Sequence, residues 1–194
     1  MNSKLKLPPR RLGLLCAVLT LSQNAGAVCN ANIPLTRPDS RYQVVAGTTP
    51  ANSELRDTLT GLIWKRCLEG YRWSGTICTI AGVNDPITYA WSAALNQPSV
   101  ANAVTPTPAT PWRLPSQAEL RSLVERACSA PAHNSQFPYL AGDIWSSTSF
   151  VTLTNQTTQA TTSDVAWAVN FGTGFDSTNS KSAPLRLRLV RNAP

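Results

Sequence analysis

The run Trp112-Arg113-Leu114-Pro115-Ser116-Gln117-Ala118-Glu119-Leu120 constrains the fold more than any other part of the chain, because it joins a strand exit to a helix start. Pro115 fixes its φ and withholds an amide, so a strand stops there. Ser116 can cap the first free amides, and Glu119, three residues on, can reach back to close a capping box. Leu120, Leu123, Val124 and Ala127 then recur at helical spacing and give a narrow apolar face. A chain with this junction is predicted to press a helix onto a sheet.

The N-terminal segment must be set aside before charge or thiols are weighed. Lys4, Lys6, Arg10 and Arg11 form a basic region, residues 12–21 an apolar core, and Ala25-Gly26-Ala27 a small-residue site. This is the pattern of a cleaved secretory signal over residues 1–27. The apolar core is too short to stay as a transmembrane anchor, and Leu15 before Cys16 argues against a lipoprotein. Four of the 17 basic residues and none of the ten acidic ones lie in this segment, so residues 28–194 carry a net charge of +3 against +7 for the whole chain. With that modest charge and no recognised binding motif, nucleic acid is not an expected partner.

Beyond the segment remain Cys29, Cys67, Cys78 and Cys128, an even number in an exported chain, which predicts two disulfides. Three pairings are open. The Gly-containing, hairpin-like stretch beside Cys67 and Cys78 favours joining those two, which leaves Cys29 to tie the N-terminal arm to Cys128. Residues 28–194 suit a single domain with a real core, and no internal repeat interrupts them.

Residues 42–45, 54–57 and 62–67 read as short strands, the last two joined by Thr58-Leu59-Thr60-Gly61. Thr88 is placed to cap a first helix through Trp91, Ala94 and Leu95, and residues 102–111 read as an exposed, proline-rich loop. Residues 143–149 and 165–171 are rich in aromatic and β-branched residues, with a solvated Thr/Asn/Gln loop over 152–163. In the closing strand, 185–191, Leu185, Leu187 and Leu189 face one way and Arg186 and Arg188 the other. The sum is an α+β domain of two helices on short, mostly antiparallel sheets with long loops.

Several landmarks then fall in order. They are Asp57-Thr58-Leu59-Thr60-Gly61-Leu62-Ile63-Trp64-Lys65-Arg66-Cys67, Trp91 with Ala94-Leu95, and Trp112-Arg113-Leu114-Pro115 with Glu119-Leu120. Pro131-Ala132-His133-Asn134, Phe137-Pro138, Ile144-Trp145-Ser146-Ser147, Ala166-Trp167-Ala168-Val169-Asn170-Phe171 and Leu187-Arg188-Leu189-Val190-Arg191 complete the series. It resembles the domain family named after the C-terminal domain of the Legionella collagen-like adhesin. The resemblance implies a C-type-lectin-like fold in which N- and C-terminal strands pair and a loop-rich half sits on two helices. It also implies binding of sulfated glycosaminoglycans and trimeric assembly, although no collagen-like Gly-X-Y region is present here.

Catalysis finds little support. His133 is the only histidine, no serine sits in a nucleophile elbow, and the thiols are better used as disulfides than as zinc ligands. His133 reads as a loop residue. Calcium would want converging carboxylate and amide oxygens; Asn84-Asp85-Pro86 and Asp176 with Asn179 are the nearest clusters, and turn chemistry accounts for both. The chain is therefore read as a non-enzyme without cofactor or metal. Of the tryptophans, Trp64, Trp91, Trp112, Trp145 and Trp167 read as core and Trp73 as a ring able to stack on a sugar. Arg113 is expected to fix the strand-to-helix corner.

The usable surface is cationic: Arg186 and Arg188 with Lys181 and Arg191 around the closing strand, and Lys65, Arg66 and Arg72 around the first disulfide, beside Trp73. Guanidinium forks suit sulfate and carboxylate, so the expected partner is an acidic or sulfated glycan. An envelope or appendage protein is the alternative partner, and charges that merely keep a sheet soluble are the plain alternative to both.

Overall fold

The computed structural model describes residues 28–48, 53–82, 87–103, 109–138, 142–152 and 161–194. Its elements are β1 (Val28–Cys29), a 3-10 turn (Asp39–Arg41), β2 (Tyr42–Val44), β3 (Glu54–Asp57), β4 (Leu62–Lys65), β5 (Tyr71–Trp73) and β6 (Cys78–Ile80), then α1 (Trp91–Asn102) and α2 (Gln117–Arg121), then β7 (Cys128–Ser129), β8 (Asp143–Thr152), β9 (Thr161–Asn170), β10 (Phe175–Ser180) and β11 (Val190–Asn192). Every strand pairing is antiparallel. The strands form a four-stranded sheet β11-β4-β3-β2, a three-stranded sheet β10-β9-β8 and two small ribbons, β5-β6 and β1-β7. This is an α+β architecture. The first strand, β1, pairs with β7 and the last, β11, with β4, so the implied direct pairing of the two ends is not seen among the described strands; β2 and β11 instead form the two edges of the four-stranded sheet.

Cys29 is bonded to Cys128 and Cys67 to Cys78. The first bond staples β1 to β7, whose register sets those two cysteines opposite each other. The second ties the start of β6, where Cys78 lies opposite Trp73, to the turn that follows β4.

The Asp57-to-Gly61 turn shows why that sequence is needed. Asp57, fully buried, accepts from the Leu59 amide at 3.0 Å and the Thr60 hydroxyl at 2.7 Å, and Gly61 takes φ +73°. A left-handed conformation there strains any side chain. The junction at Ser116 forms the predicted capping box: its hydroxyl accepts from the Glu119 amide at 3.2 Å and its own amide donates to the Glu119 carboxylate at 2.8 Å. Arg113 grips that carboxylate with both Nη atoms, at 2.6 and 2.7 Å, while its backbone pairs with Val190. One glutamate thus fixes a helix start and the strand before it.

Two expectations about the helices are corrected. α1 begins after Ala90, and no side chain caps it, Thr88 included. α2 stops at Arg121, and Leu123 and Val124 continue in tight turns that bond back to Leu120 and Arg121. Leu120, Leu123, Val124 and Ala127 are nevertheless all buried. A three-residue repeat keeps side chains on one side almost as well as an α-helix does. The proline-rich loop proves helical at its start, with α1 reaching Asn102, and residues 104–108 lie outside the described residues. Strands β8 and β9 extend into the predicted Thr/Asn/Gln loop as far as a Thr152–Thr161 pair; residues 153–160 are likewise outside the described residues.

The core is double. Tyr42, Leu55, Trp64, Leu120, Phe137, Ile144, Val169, Phe171 and Val190 form one cluster, and Ile63, Tyr89, Trp112, Leu114, Trp145, Ala168, Leu187 and Leu189 form another. Sequence neighbours such as Ile63 and Trp64, or Ile144 and Trp145, fall in different clusters, so both larger sheets are packed on two faces. That arrangement decides where the arginines go.

Candidate functional site

Alternation along the closing segment holds, but its far side is not solvent. Leu187 and Leu189 enter one core, while Arg188, pointing the other way, meets the second and is fully buried. Its guanidinium lies 4.9 Å from the centre of the Phe137 ring, and Nη1 donates to the backbone carbonyls of Lys65 and Arg66. Nε and Nη2 have no acceptor. Burial pulls its proton affinity down to about 9, with the Glu69 carboxylate opposing the shift. The closing strand is shorter than expected, β11 covering only Val190–Asn192, and the expectation that Arg188 faces outward is overturned, because the extended segment that carries it ahead of β11 is covered on both sides.

Arg191 is also inward, at 7% exposure. Its Nη2 pairs with Glu54 at 2.7 Å, Nη1 donates to the Thr110 hydroxyl at 3.1 Å, and the guanidinium sits 5.3 Å from the Trp112 ring centre. The two basic sets anticipated from sequence do meet, but internally, through Arg188 and the end of β4. They do not converge as one outward footprint.

What faces outward is a smaller set. Arg186 is half-buried and bridges to Ile144 through its backbone. Lys181 is half-buried with its ammonium 4.8 Å from the half-buried Trp91 ring. Lys65 pairs with Glu69 at 2.8 Å and approaches Trp112. On the disulfide-anchored ribbon, Arg72 is exposed, opposite Thr79. Beside it, the Arg66 guanidinium lies 3.7 Å from the Trp73 ring centre and donates from Nε and Nη2 to the backbone and side chain of Gln136. Burial lowers the Arg66 proton affinity. Trp73 is therefore half-covered by a cation rather than an open platform.

Trp64, Trp112 and Trp145 are core, and Trp91 and Trp167 are half-buried at its edge. His133 is 7% exposed, its Nδ1 is 2.8 Å from the Asn134 carbonyl, and burial lowers its pKa, with the neighbouring Arg188 charge adding to the effect. Asp176 is held by Arg121 at 3.0 Å, and Asn179 donates to Ser177. Asp176 and Asn179, three apart on a strand, point to opposite faces, so they do not converge. Asn84-Asp85-Pro86 lies outside the described residues. No cluster of His, Cys, Asp and Glu able to hold a metal occurs among the described residues, and no helix among them is long and apolar enough to cross a membrane.

Two features were not anticipated. Arg41 makes a buried two-pronged pair with Asp57, at 2.5 and 2.6 Å. Arg56 is exposed, lying between the buried Leu55 and Asp57. The alternation of β3 carries the signal for Arg56; nothing near Arg41 in the sequence signals its partner, 16 residues away.

The molecule so described is a disulfide-stapled α+β domain in which Arg41, Arg188 and Arg191 serve as internal ties. The chain belongs to the Lcl C-terminal domain family, whose model matches residues 53–191. No match is found among curated proteins or among solved structures.

Proposed function

We propose that this chain is an exported, adhesin-like binding domain of the bacterial surface, with a C-type-lectin-like fold, that attaches to acidic or sulfated polysaccharide. Family membership and two disulfides support an external setting, and the signal-like segment 1–27, outside the described residues, supports cleavage after Ala27. The observation that carries the glycan reading is the β5-β6 ribbon. It is anchored through Cys78 to Cys67 in the turn after β4 and presents Arg72 and, with that turn, the Arg66–Trp73 stack, and neither arginine has an ion pair among the described residues. Uncompensated guanidinium on a rigid support suits sulfate and carboxylate groups, with little ordering entropy lost on contact.

Lys181 over Trp91 adds a second cationic point, and Arg186 a third. The test compares retention on immobilised heparin of oxidised residues 28–194 with that of an Arg72→Ala/Lys181→Ala variant across a salt gradient. Salt-dependent retention that weakens in the variant is expected. No retention, or identical elution of the two proteins, overturns the reading and favours a protein partner in the envelope or an appendage.

A further inference from the structure

The four-stranded sheet carries one continuous cross-strand row: Gln43 lies opposite Arg56, Arg56 opposite Ile63, and Ile63 opposite Arg191. Directly opposed residues project to the same face. At its β11 end this face is sealed, with Ile63 3% exposed and Trp112 5%. Towards β2 it opens into a groove of about 310 Å³, lined by Gln43, Val45, Ala46, Arg56, Arg191 and Ala193 among others.

The groove holds one unspent charge. Arg56 is exposed and has no ion pair among the described residues. Arg191 is neutralised by Glu54, yet its buried Nε has no acceptor. Ile63, Val45 and Ala193 supply apolar surface, and the exposed Gln43 side chain offers both a donor and an acceptor beside Arg56. An apolar floor, one uncompensated guanidinium and an amide make a recognition set for a ring-sized ligand bearing one anion and hydroxyl groups.

We infer that this groove is a subsite for a single carboxylate- or sulfate-bearing sugar unit. Arg56 contacts the anion and Gln43 a hydroxyl, while Arg191, held by Glu54 and Thr110, forms part of the wall. That the scaffold is a sugar rests on the reading given under Proposed function; the groove and its charge do not.

The test follows backbone amide shifts of the oxidised protein during titration with glucuronate, glucosamine 6-sulfate and, as a neutral control, glucose. Shifts clustered on residues 43–46, 56, 63 and 191–193 are expected with one or both anions and not with glucose, and the two anions separate carboxylate from sulfate recognition. Arg56→Gln, at an exposed site, should weaken binding about tenfold, the effect of losing one charge-assisted hydrogen bond, while Arg126→Ala, which removes an exposed arginine outside the groove, should leave it unchanged. Equal response to glucose, no shifts within the groove, or full affinity in Arg56→Gln overturns the inference. Heparin retention lost in Arg72→Ala/Lys181→Ala with an inert groove would leave the polysaccharide reading standing and remove only the subsite. Groove binding without heparin retention does the reverse.

Discussion

Replacing Arg41 by methionine tests whether the buried ion pair with Asp57 holds the rim of the four-stranded sheet. Methionine keeps the aliphatic stem and removes the charge. Arg41 is 7% exposed and Asp57 0%, and the pair closes two hydrogen bonds of 2.5 and 2.6 Å. Asp57 would retain only the Leu59 amide and the Thr60 hydroxyl as donors. Removing one partner from a buried pair costs about 3–5 kcal/mol, because the remaining charge stays out of water. For a domain of this size each kcal/mol shifts Tm by about 2–4 °C, so a fall of about 10 °C is expected at neutral pH. The pH dependence identifies the cause. In the native protein burial raises the Asp57 pKa, but the hydrogen bonds from Arg41, Thr60 and Leu59 outweigh it and hold the carboxyl below its ordinary value. Its contribution is present above the unfolded value of about 3.9 and is lost as pH falls through the lower native value. Without Arg41, burial dominates and the native pKa rises above 3.9, so the variant gains relative stability as pH falls. Melts by circular dichroism from pH 7 to pH 4 should therefore show the gap between the two proteins closing. A loss below about 1 kcal/mol, or a gap constant across that range, would refute the reasoning.

The two disulfides should differ in weight. In the chain-entropy model the Cys29–Cys128 loop, 99 residues in separation, contributes about 4.7 kcal/mol and the Cys67–Cys78 loop, 11 in separation, about 3; urea unfolding of the paired alanine variants should rank them in that order. His133, its pKa lowered by burial and by Arg188, binds fewer protons folded than unfolded. Stability should therefore start to fall as pH drops below the unfolded value of about 6.5, and His133→Asn should remove that limb in acid melts. Arg188→Ala should destabilise by about 2–4 kcal/mol by stripping a donor from the Lys65 and Arg66 carbonyls and opening a hole against Phe137. Heparin elution of the folded variant should be unchanged, and a selective loss of retention at full stability would return Arg188 to the surface.

Much of the framework was legible because its determinants are local. The Asp57-to-Gly61 turn, the Ser116–Glu119 capping box and the Arg113 corner are each set by residues within a few positions of one another. So are the edges of β3 and β4, where turn residues bound apolar runs. The helix after Ser116 was over-extended for a physical reason: Leu120, Leu123, Val124 and Ala127 satisfy a three-residue turn as well as a 3.6-residue helix, and the backbone takes the former once Val124 bridges to His133. Arg41 and Asp57 could not be joined on paper, since nothing in either local pattern names the other.

The arginines of the closing segment show where pattern and environment part. Alternation of Leu187, Arg188 and Leu189 states which side chains share a face; it carries no information about what covers the other face. A sheet with one wet side would send Arg188 to solvent, but this sheet lies between two apolar clusters, one holding Leu187 and the other Phe137. A buried guanidinium is tolerable there only with acceptors at hand, and the carbonyls of Lys65 and Arg66 supply them because β4 ends where Arg188 passes. The same logic sorts the remaining cations. Those on the closing segment, with apolar clusters on either side, become ties, as Arg188 and Arg191 do, while Arg72 on an isolated two-stranded ribbon and Arg56 beside an open groove have no second core to enter. On the reading proposed above, ligand contacts come from the ribbon and the groove, while Arg188, buried within the Leu187-to-Arg191 motif, serves the fold.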